Sequence, residues 1–302
     1  MVGHNGGMKP RAIVFTLFGD YLRYCGGEAR LGAITELLSL FDVDPGTTRV
    51  VMTRLRRDGW FETERQGRET VYRLSAAGWR LLDEGRDRIF QHPESAWSGK
   101  WSMVLLRFPE SHRAARDESR RALSWLGYGQ LTASTWMSPH DRLEAVEGAL
   151  ADSPAVSLDL LSCESRGLEH DRSIARRCWD LNALNDDYGQ FLEKYETVGE
   201  VSGLEALTLR VNLTNDYRHF PFRDPDLPVE LVPAGWLGHR AHATFRSLHA
   251  RIALVAEAEV DRIADVHIDH DSYLQQLLDD RRSFVTQSSS PFGASFNEAI
   301  ND

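Results

Sequence analysis

The stretch DPGTTRVVMTRLRRDGWFETERQGRETVYRL, from Asp44 to Leu74, leaves this chain few folds to choose from. Thr48, Val51, Met52 and Leu55 recur at helical spacing, which predicts a helix over Thr47–Arg57 with these four on its buried face. Arg49, Thr53, Arg56 and Arg57 then fall on the other side, and Arg54 borders the buried face. Asp44 before Pro45 reads as an N-cap followed by proline at the first helical position. Beyond Asp58-Gly59, residues 60–63 and 70–74 read as strands around a hairpin tip at 64–69, with Gly67 at the turn and Arg65 and Arg68 spaced to straddle a backbone.

The flanks fit one arrangement. Pro10 starts a helix whose apolar face is Ile13, Leu17, Phe18, Tyr21 and Leu22, and Gly26-Gly27 stops it. Leu31, Ile34, Leu37, Leu38 and Phe41 mark a second helix, and Ser75 is placed to cap a fourth that opens at Ala76-Ala77-Gly78. Three helices, a wing and a capped exit helix in under a hundred residues is the winged helix-turn-helix order. Arginine forks and threonine hydroxyls suit guanine edges and phosphates, so Thr47, Arg49, Thr53, Arg54, Arg56 and Arg57 on the helix, with Arg65 and Arg68 on the wing, are the candidate DNA contacts. The plainer reading is a solvated helix face, which an arginine-rich run is in most proteins.

A net charge of −10 argues against nucleic acid until it is divided along the chain. Of the 35 Lys+Arg and 45 Asp+Glu, residues 1–90 hold 14 and 12, leaving 21 against 33 for the remainder. Residues 49–73 hold seven arginines against four acids, so positive charge gathers on the proposed reading unit. Cys25, Cys163 and Cys178 are widely separated and form no CxxC pair, which indicates neither a disulfide framework nor a zinc site and fits a cytoplasmic setting. No apolar run approaches the roughly 18 residues of a membrane span, and no signal peptide is visible.

Residues 91–95 break the exit helix. Then follow a strand over 101–109, a helix over 111–126, one or two short strands in 128–138, a helix over 139–150 and a strand over 155–161, the order of a ferredoxin-like unit. Residues 172–197 read as one long helix or two joined near Asn185-Asp186-Asp187, 204–220 as another, and 236–266 as a further helical run. The expected class is α+β: a winged-helix domain at 9–90, a ferredoxin-like domain at 97–168, a mainly helical effector and dimerisation domain at 169–283, and a disordered tail at 284–302. Residues 1–8, rich in glycine, also read as disordered. His239, His242 and His249, and the segment from His267 to Asp271, carry metal-ligand residue types without a matched second cluster. No catalytic motif, metal site or cofactor is expected.

These residues also resemble a known family, the PaaX-type transcriptional regulators. The resemblance runs through Pro10-Arg11, Arg49, Arg54-Leu55, Gly59, Tyr72-Arg73-Leu74-Ser75 and Gly78. It continues in Trp101-Ser102-Met103-Val104, Pro109-Glu110, Arg113, Arg116, Gly127-Tyr128 and Trp136-Met137-Ser138-Pro139. It ends in Tyr217-Arg218, the segment Asp224 to Pro228, and Pro233 to Gly238, spanning roughly residues 9–270. It implies a Cas2-like middle domain and a cytoplasmic bacterial repressor that binds a palindromic operator as a homodimer. A small effector releases it, phenylacetyl-CoA in the name-giving members, whose genes serve phenylacetate catabolism. Cas2 nucleases place a metal-ligating aspartate near the end of the first strand; Arg107 stands there instead, and a guanidinium does not ligate a divalent cation.

An acyl-CoA effector needs guanidinium for its phosphates and aromatic faces for adenine or an aryl group, which Tyr217, Arg218, Arg223, Trp236 and Arg240 supply around one loop. Two other functions stay open on sequence alone: a metal-dependent nuclease on the central domain, and a scaffold whose winged helix binds protein.

Overall fold

The computed structural model describes residues 8–90, 97–109, 112–151, 153 and 157–265. Pro10 starts α1 (Pro10–Asp20), in which every residue from Ala12 to Phe18 is buried, whereas the sequence pattern predicts a single apolar face. A helix buried on all sides lies inside a core rather than on it. One apolar cluster indeed runs through Ala12–Ile89 and Leu184–Ala264, so the winged-helix head and the C-terminal helices share a core built on α1.

Around α1 the head forms α2 (Leu31–Ser39), α3 (Pro45–Arg57), β2 (Phe61–Gln66), β3 (Glu69–Leu74) and α4 (Ala76–Phe90). A third strand, β1 (Glu28–Arg30), pairs with β3 to give the antiparallel order β1-β3-β2, where the sequence signalled only a helix stop. Ser75 caps α4 as expected, accepting the Gly78 N–H at 3.0 Å and donating to the Gly59 carbonyl at 2.6 Å. The wing strands reach farther than predicted, Gln66 pairing with Glu69, so the tip is only Gly67-Arg68. Gly67 has φ of 63°, which a two-residue loop matched to strand twist requires at its first position.

The middle of the chain is β4 (Trp101–Arg107), α5 (Arg113–Trp125), β5 (Gly129–Thr132), β6 (Thr135–Ser138), α6 (Leu143–Leu150) and β7 (Ser157–Cys163). The stretch 128–138 thus holds two strands. Sheet order β5-β6-β4-β7, antiparallel throughout, is the ferredoxin-like topology. Alternation divides its faces: Val104, Leu106 and Trp136 meet Leu123 and Val146 of the two helices, while Trp101 and Met137 meet Ile174 and Ala175 of α7 (Leu168–Cys178). Trp179 approaches the start of β5 so closely that a Cβ on Gly129 would stand 2.5 Å from its ring.

The remaining helices are α8 (Leu181–Tyr195), α9 (Gly203–Tyr217), α10 (Gly238–Arg251) and α11 (Ala253–Ala264). Two expectations are corrected. The helical run over 172–197 starts earlier and breaks at Trp179-Asp180, not at Asn185–Asp187, because Trp179 is extended and the Asp180 carboxylate caps α8 by accepting the Ala183 N–H at 3.1 Å. The run over 236–266 is two helices, divided at Ile252, whose ψ of 2° leaves the helical range and turns its side chain into the core. Of residues 1–8, expected to be disordered, Met8 instead packs against the head's core; the rest of that stretch, the predicted tail at 284–302, the break at 91–95 and the His267–Asp271 segment lie outside the described residues.

Inside the shared core sits a polar cluster. Arg210 Nη1 donates to Glu257 at 3.0 Å and its Nε to His249 Nε2 at 3.1 Å, its guanidinium lies over the Tyr21 ring, and Thr214 donates to Asp20 of α1 at 2.8 Å. Burial pushes the Asp20 carboxyl up, but neighbouring His249 and Arg210 outweigh it and hold it below its ordinary value. Burial, reinforced by adjacent arginines, lowers the imidazoles of His140, His219 and His249 below 6.5, His219 to about 4. These rings stay neutral in the folded chain and protonate once it unfolds, so the unfolded state binds more protons below pH 6.5. Stability is therefore expected to be complete above about pH 6.5 and to fall steadily as pH drops toward 4. Thermal unfolding at pH 7.5, 6 and 5 checks this, and equal midpoints would contradict it.

Candidate nucleic-acid interface

Capping fixes where α3 begins. The Asp44 carboxylate accepts the Gly46 and Thr47 N–H groups at 2.8 and 3.0 Å and the Thr47 hydroxyl at 2.5 Å. Thr47 is thus committed to the cap, and its hydroxyl proton is not available to a base edge. Thr48, Met52 and Leu55 are buried and Val51 is half-buried, so the inward face is as predicted but narrower.

Arg49, Thr53, Arg54, Arg56 and Arg57 are all exposed. Arg54 is not at the edge of the core; it stands clear of it, because the core takes only three positions of this helix. Arg57 leans on Asp58 at 3.2 Å, and Asp58 also holds Arg11. Among the described residues no carboxylate pairs with Arg49, Arg54 or Arg56. At about 100° per residue, Val50, Thr53 and Arg57 form the strip directly opposite the core, with Arg49 and Arg56 on one flank and Arg54 on the other. Val50 is 51% exposed. Reasoning from charged and hydroxyl residue types passed over it, although its phase, half a turn from Thr48 and Leu55, is legible in the sequence.

On the wing, Arg65 opposes Thr70 in the ladder and Arg68 occupies the turn; both are exposed. The wing's acids are drawn away from its tip: Glu64 lies 3.6 Å from Arg73, and Glu69 lies 3.3 Å from Arg30. Arg65 and Arg68 make no ion pair among the described residues. Helix and wing therefore present cations whose charges the protein leaves uncompensated, as phosphate contacts require.

The five candidate effector residues do not converge. Tyr217 is buried, its ring stacked 4.0 Å from Phe245 and its hydroxyl 2.8 Å from His242 Nδ1. Arg218 is buried beside it, donates to Asn215 at 3.2 Å, and is pushed down to about 10 by burial. Arg240 grips Glu196, Arg223 pairs with Asp187 at 2.6 Å, and Trp236 lies edge-on to Tyr188. Adjacency in sequence failed here because α9 is inside the core, so its last residues pack rather than line a cavity. His242 and His249 likewise serve packing, and among the described residues no three metal-ligating side chains come together. Arg107 ends β4, exposed. Among the described residues no helix is long and apolar enough to cross a membrane.

A winged helix with uncompensated cations, fused to a ferredoxin-like domain and a helical C-terminal part, defines a transcription regulator of the winged-helix class. Family models match in the same order: the PaaX-like protein over residues 9–78, the PaaX protein central Cas2-like domain over 94–175, and the PaaX-like protein C-terminal domain over 179–262. The chain belongs to the PaaX family. The transcriptional repressor PaaX of Escherichia coli is 29% identical over 270 residues, 85% of this chain and 84% of its own length. A solved structure, of an uncharacterized protein from Mycobacterium tuberculosis, shares the fold at a TM-score of 0.60 with 19% identity, over 85% of this chain and 99% of that one.

Proposed function

We propose that this protein is a DNA-binding transcriptional repressor, homodimeric on a palindromic operator, and that an aryl- or acyl-CoA thioester from a catabolic pathway releases it. The observation that carries the DNA-binding part is the set of exposed, unpaired arginines at 49, 54, 56, 65 and 68, gathered on one helix and one hairpin of an otherwise acidic chain. In this reading the strip of Val50, Thr53 and Arg57 faces the floor of the major groove. The flanking arginines and the wing tip hold phosphates and set register. The Escherichia coli relative is named a transcriptional repressor, and Arg107 stands where a Cas2-type nuclease carries its aspartate.

Release requires that effector favour an arrangement poor at holding DNA, since only differential affinity moves an equilibrium. The shared core gives a route. The C-terminal helices pack directly on α1, so repacking them changes how the head presents α3.

Binding of the protein to DNA from upstream of its own gene, followed by fluorescence anisotropy at several salt concentrations, tests the reading. Five phosphate-holding arginines per protomer predict a log–log salt slope of about −4 to −5 per half-site. Phenylacetyl-CoA added to the preformed complex is expected to release it. Affinity that ignores both salt and sequence would refute the DNA-reading role, and a complex that survives every acyl-CoA offered would refute the effector.

A further inference from the structure

We propose that a cleft where the three parts of the chain meet binds a small aromatic carboxylate, with Arg88 as its anchor; the link to release rests on the repressor reading above. The cleft measures about 300 Å³ and is lined by Arg88 from α4, Tyr128 and Gln130 from the central domain, and Trp179, Phe222 and Arg223 from the C-terminal part. That volume is at the low end for ligand sites, enough for an aryl ring with a short acid and too little for a nucleotide.

Arg88 carries the chemistry. Its Nε–H donates to the Pro221 carbonyl and its Nη1–H to the Trp125 carbonyl, both at 2.8 Å. Its guanidinium lies 4.4 Å from the Trp125 ring and 5.4 Å from that of Phe222. Rings and carbonyls fix its position, yet among the described residues no carboxylate pairs with it. Burial, with the neighbouring positive charge of Arg142, pushes it down to about 10, and the negative charge of Asp226 works in the opposite direction. A cation held this rigidly with no carboxylate in direct contact among the described residues is stabilised by an anion more than a solvated arginine is. The acid on the cleft wall, Asp224, is already engaged by the Tyr188 hydroxyl at 2.7 Å and the Asp226 N–H at 2.8 Å. Tyr128, Trp179 and Phe222 supply ring faces or edges for an aryl group.

The position accounts for an effect at a distance. Arg88 lies near the end of the helix that leaves wing strand β3, and its Nε grips the loop after α9. A ligand on Arg88 competes with or tightens that grip and so alters how α4 sits against the C-terminal part. By reciprocity, operator-bound protein then binds the ligand more weakly by the factor through which ligand weakens operator binding.

Calorimetry with the full chain uses benzoate and phenylacetate as probes and benzyl alcohol as the uncharged control. Both acids are expected to bind at least tenfold more tightly than the alcohol. Ser124→Trp, an exposed rim position that fills the cleft, and Arg88→Gln are each expected to weaken the acids at least tenfold, with Arg88→Lys intermediate. Thermal unfolding of each variant reports folding, and Ser124→Trp keeps the test valid where Arg88→Gln destabilises. Acids that bind wild type and Ser124→Trp equally, or no better than the alcohol, overturn the cleft. Operator affinity that saturating phenylacetate leaves unchanged overturns the link to release, while the repressor reading stands.

Discussion

Replacing Glu257 by alanine is expected to destabilise the chain by about 3–5 kcal/mol, because it takes the paired carboxylate from a buried guanidinium. Arg210 is 0% and Glu257 1% exposed, and their ion pair at 3.0 Å compensates the Arg210 charge together with the nearby Asp20 carboxylate. His249 accepts from Arg210 and lies 3.4 Å from the Asp20 carboxylate. The double variant Arg210→Met, Glu257→Leu removes both charges and keeps the volume, and is expected to lose less than Glu257→Ala, the remaining loss coming from Asp20, which no longer has Arg210 beside it. The comparison separates the cost of an orphaned charge from the worth of the pair. The cluster also reaches α1 through Asp20, whose carboxylate accepts from Thr214 of α9. Glu257→Ala is therefore expected to lower the melting of the head and the C-terminal helices together, in one transition that also ends DNA binding. Guanidinium unfolding followed by far-UV circular dichroism measures the loss. A single variant within about 1 kcal/mol of wild type would sink this account of the cluster.

That coupling was not legible in the sequence, and the reason is physical. Local rules carry far where the chain satisfies itself nearby. Asp44-Pro45 announced a capped helix, Gly67 a tight wing, Ser75 the cap of the exit helix, and the element order a ferredoxin-like unit. What depends on distant partners left little trace. The three residues of β1 become a strand only because β3 lies beside them. α1 shows a single apolar face to a periodicity argument, yet polar Thr16 and Asp20 are buried too, since α9 and α10 provide their surroundings. Tyr217 and Arg223 are near in sequence, and packing sends one into the core and the other to a cleft wall. Arg88 was passed over because nothing local marks a cation whose neighbours come from residues 125 and 221.

On the DNA side, Val50→Glu is expected to cut operator affinity about a hundredfold or more while leaving the thermal midpoint unchanged. Stability is spared because Val50, 51% exposed, is on the far side of α3 from Met52 and Leu55. Affinity is lost because a carboxylate at the centre of the groove-facing strip meets phosphates and base acceptors. It also draws on Thr53 and Arg54, one turn away, which are then less available to DNA. Val50→Ala removes only apolar contact with a thymine methyl, about 1 kcal/mol, and is expected to weaken binding several-fold at the operator and hardly at all on unrelated DNA. Leu254→Glu is the control: Leu254 is 66% exposed, apolar and on α11, and the same charge change there is expected to leave DNA affinity within about twofold. The ordering matters more than any one value. Loss at Val50 with none at Leu254 means that a particular face of α3 enters the groove, whereas equal losses mean that net charge alone governs binding. Wild-type affinity for Val50→Glu would remove this face of α3 from the interface and leave the wing, with Arg65 and Arg68, as the remaining candidate for reading DNA.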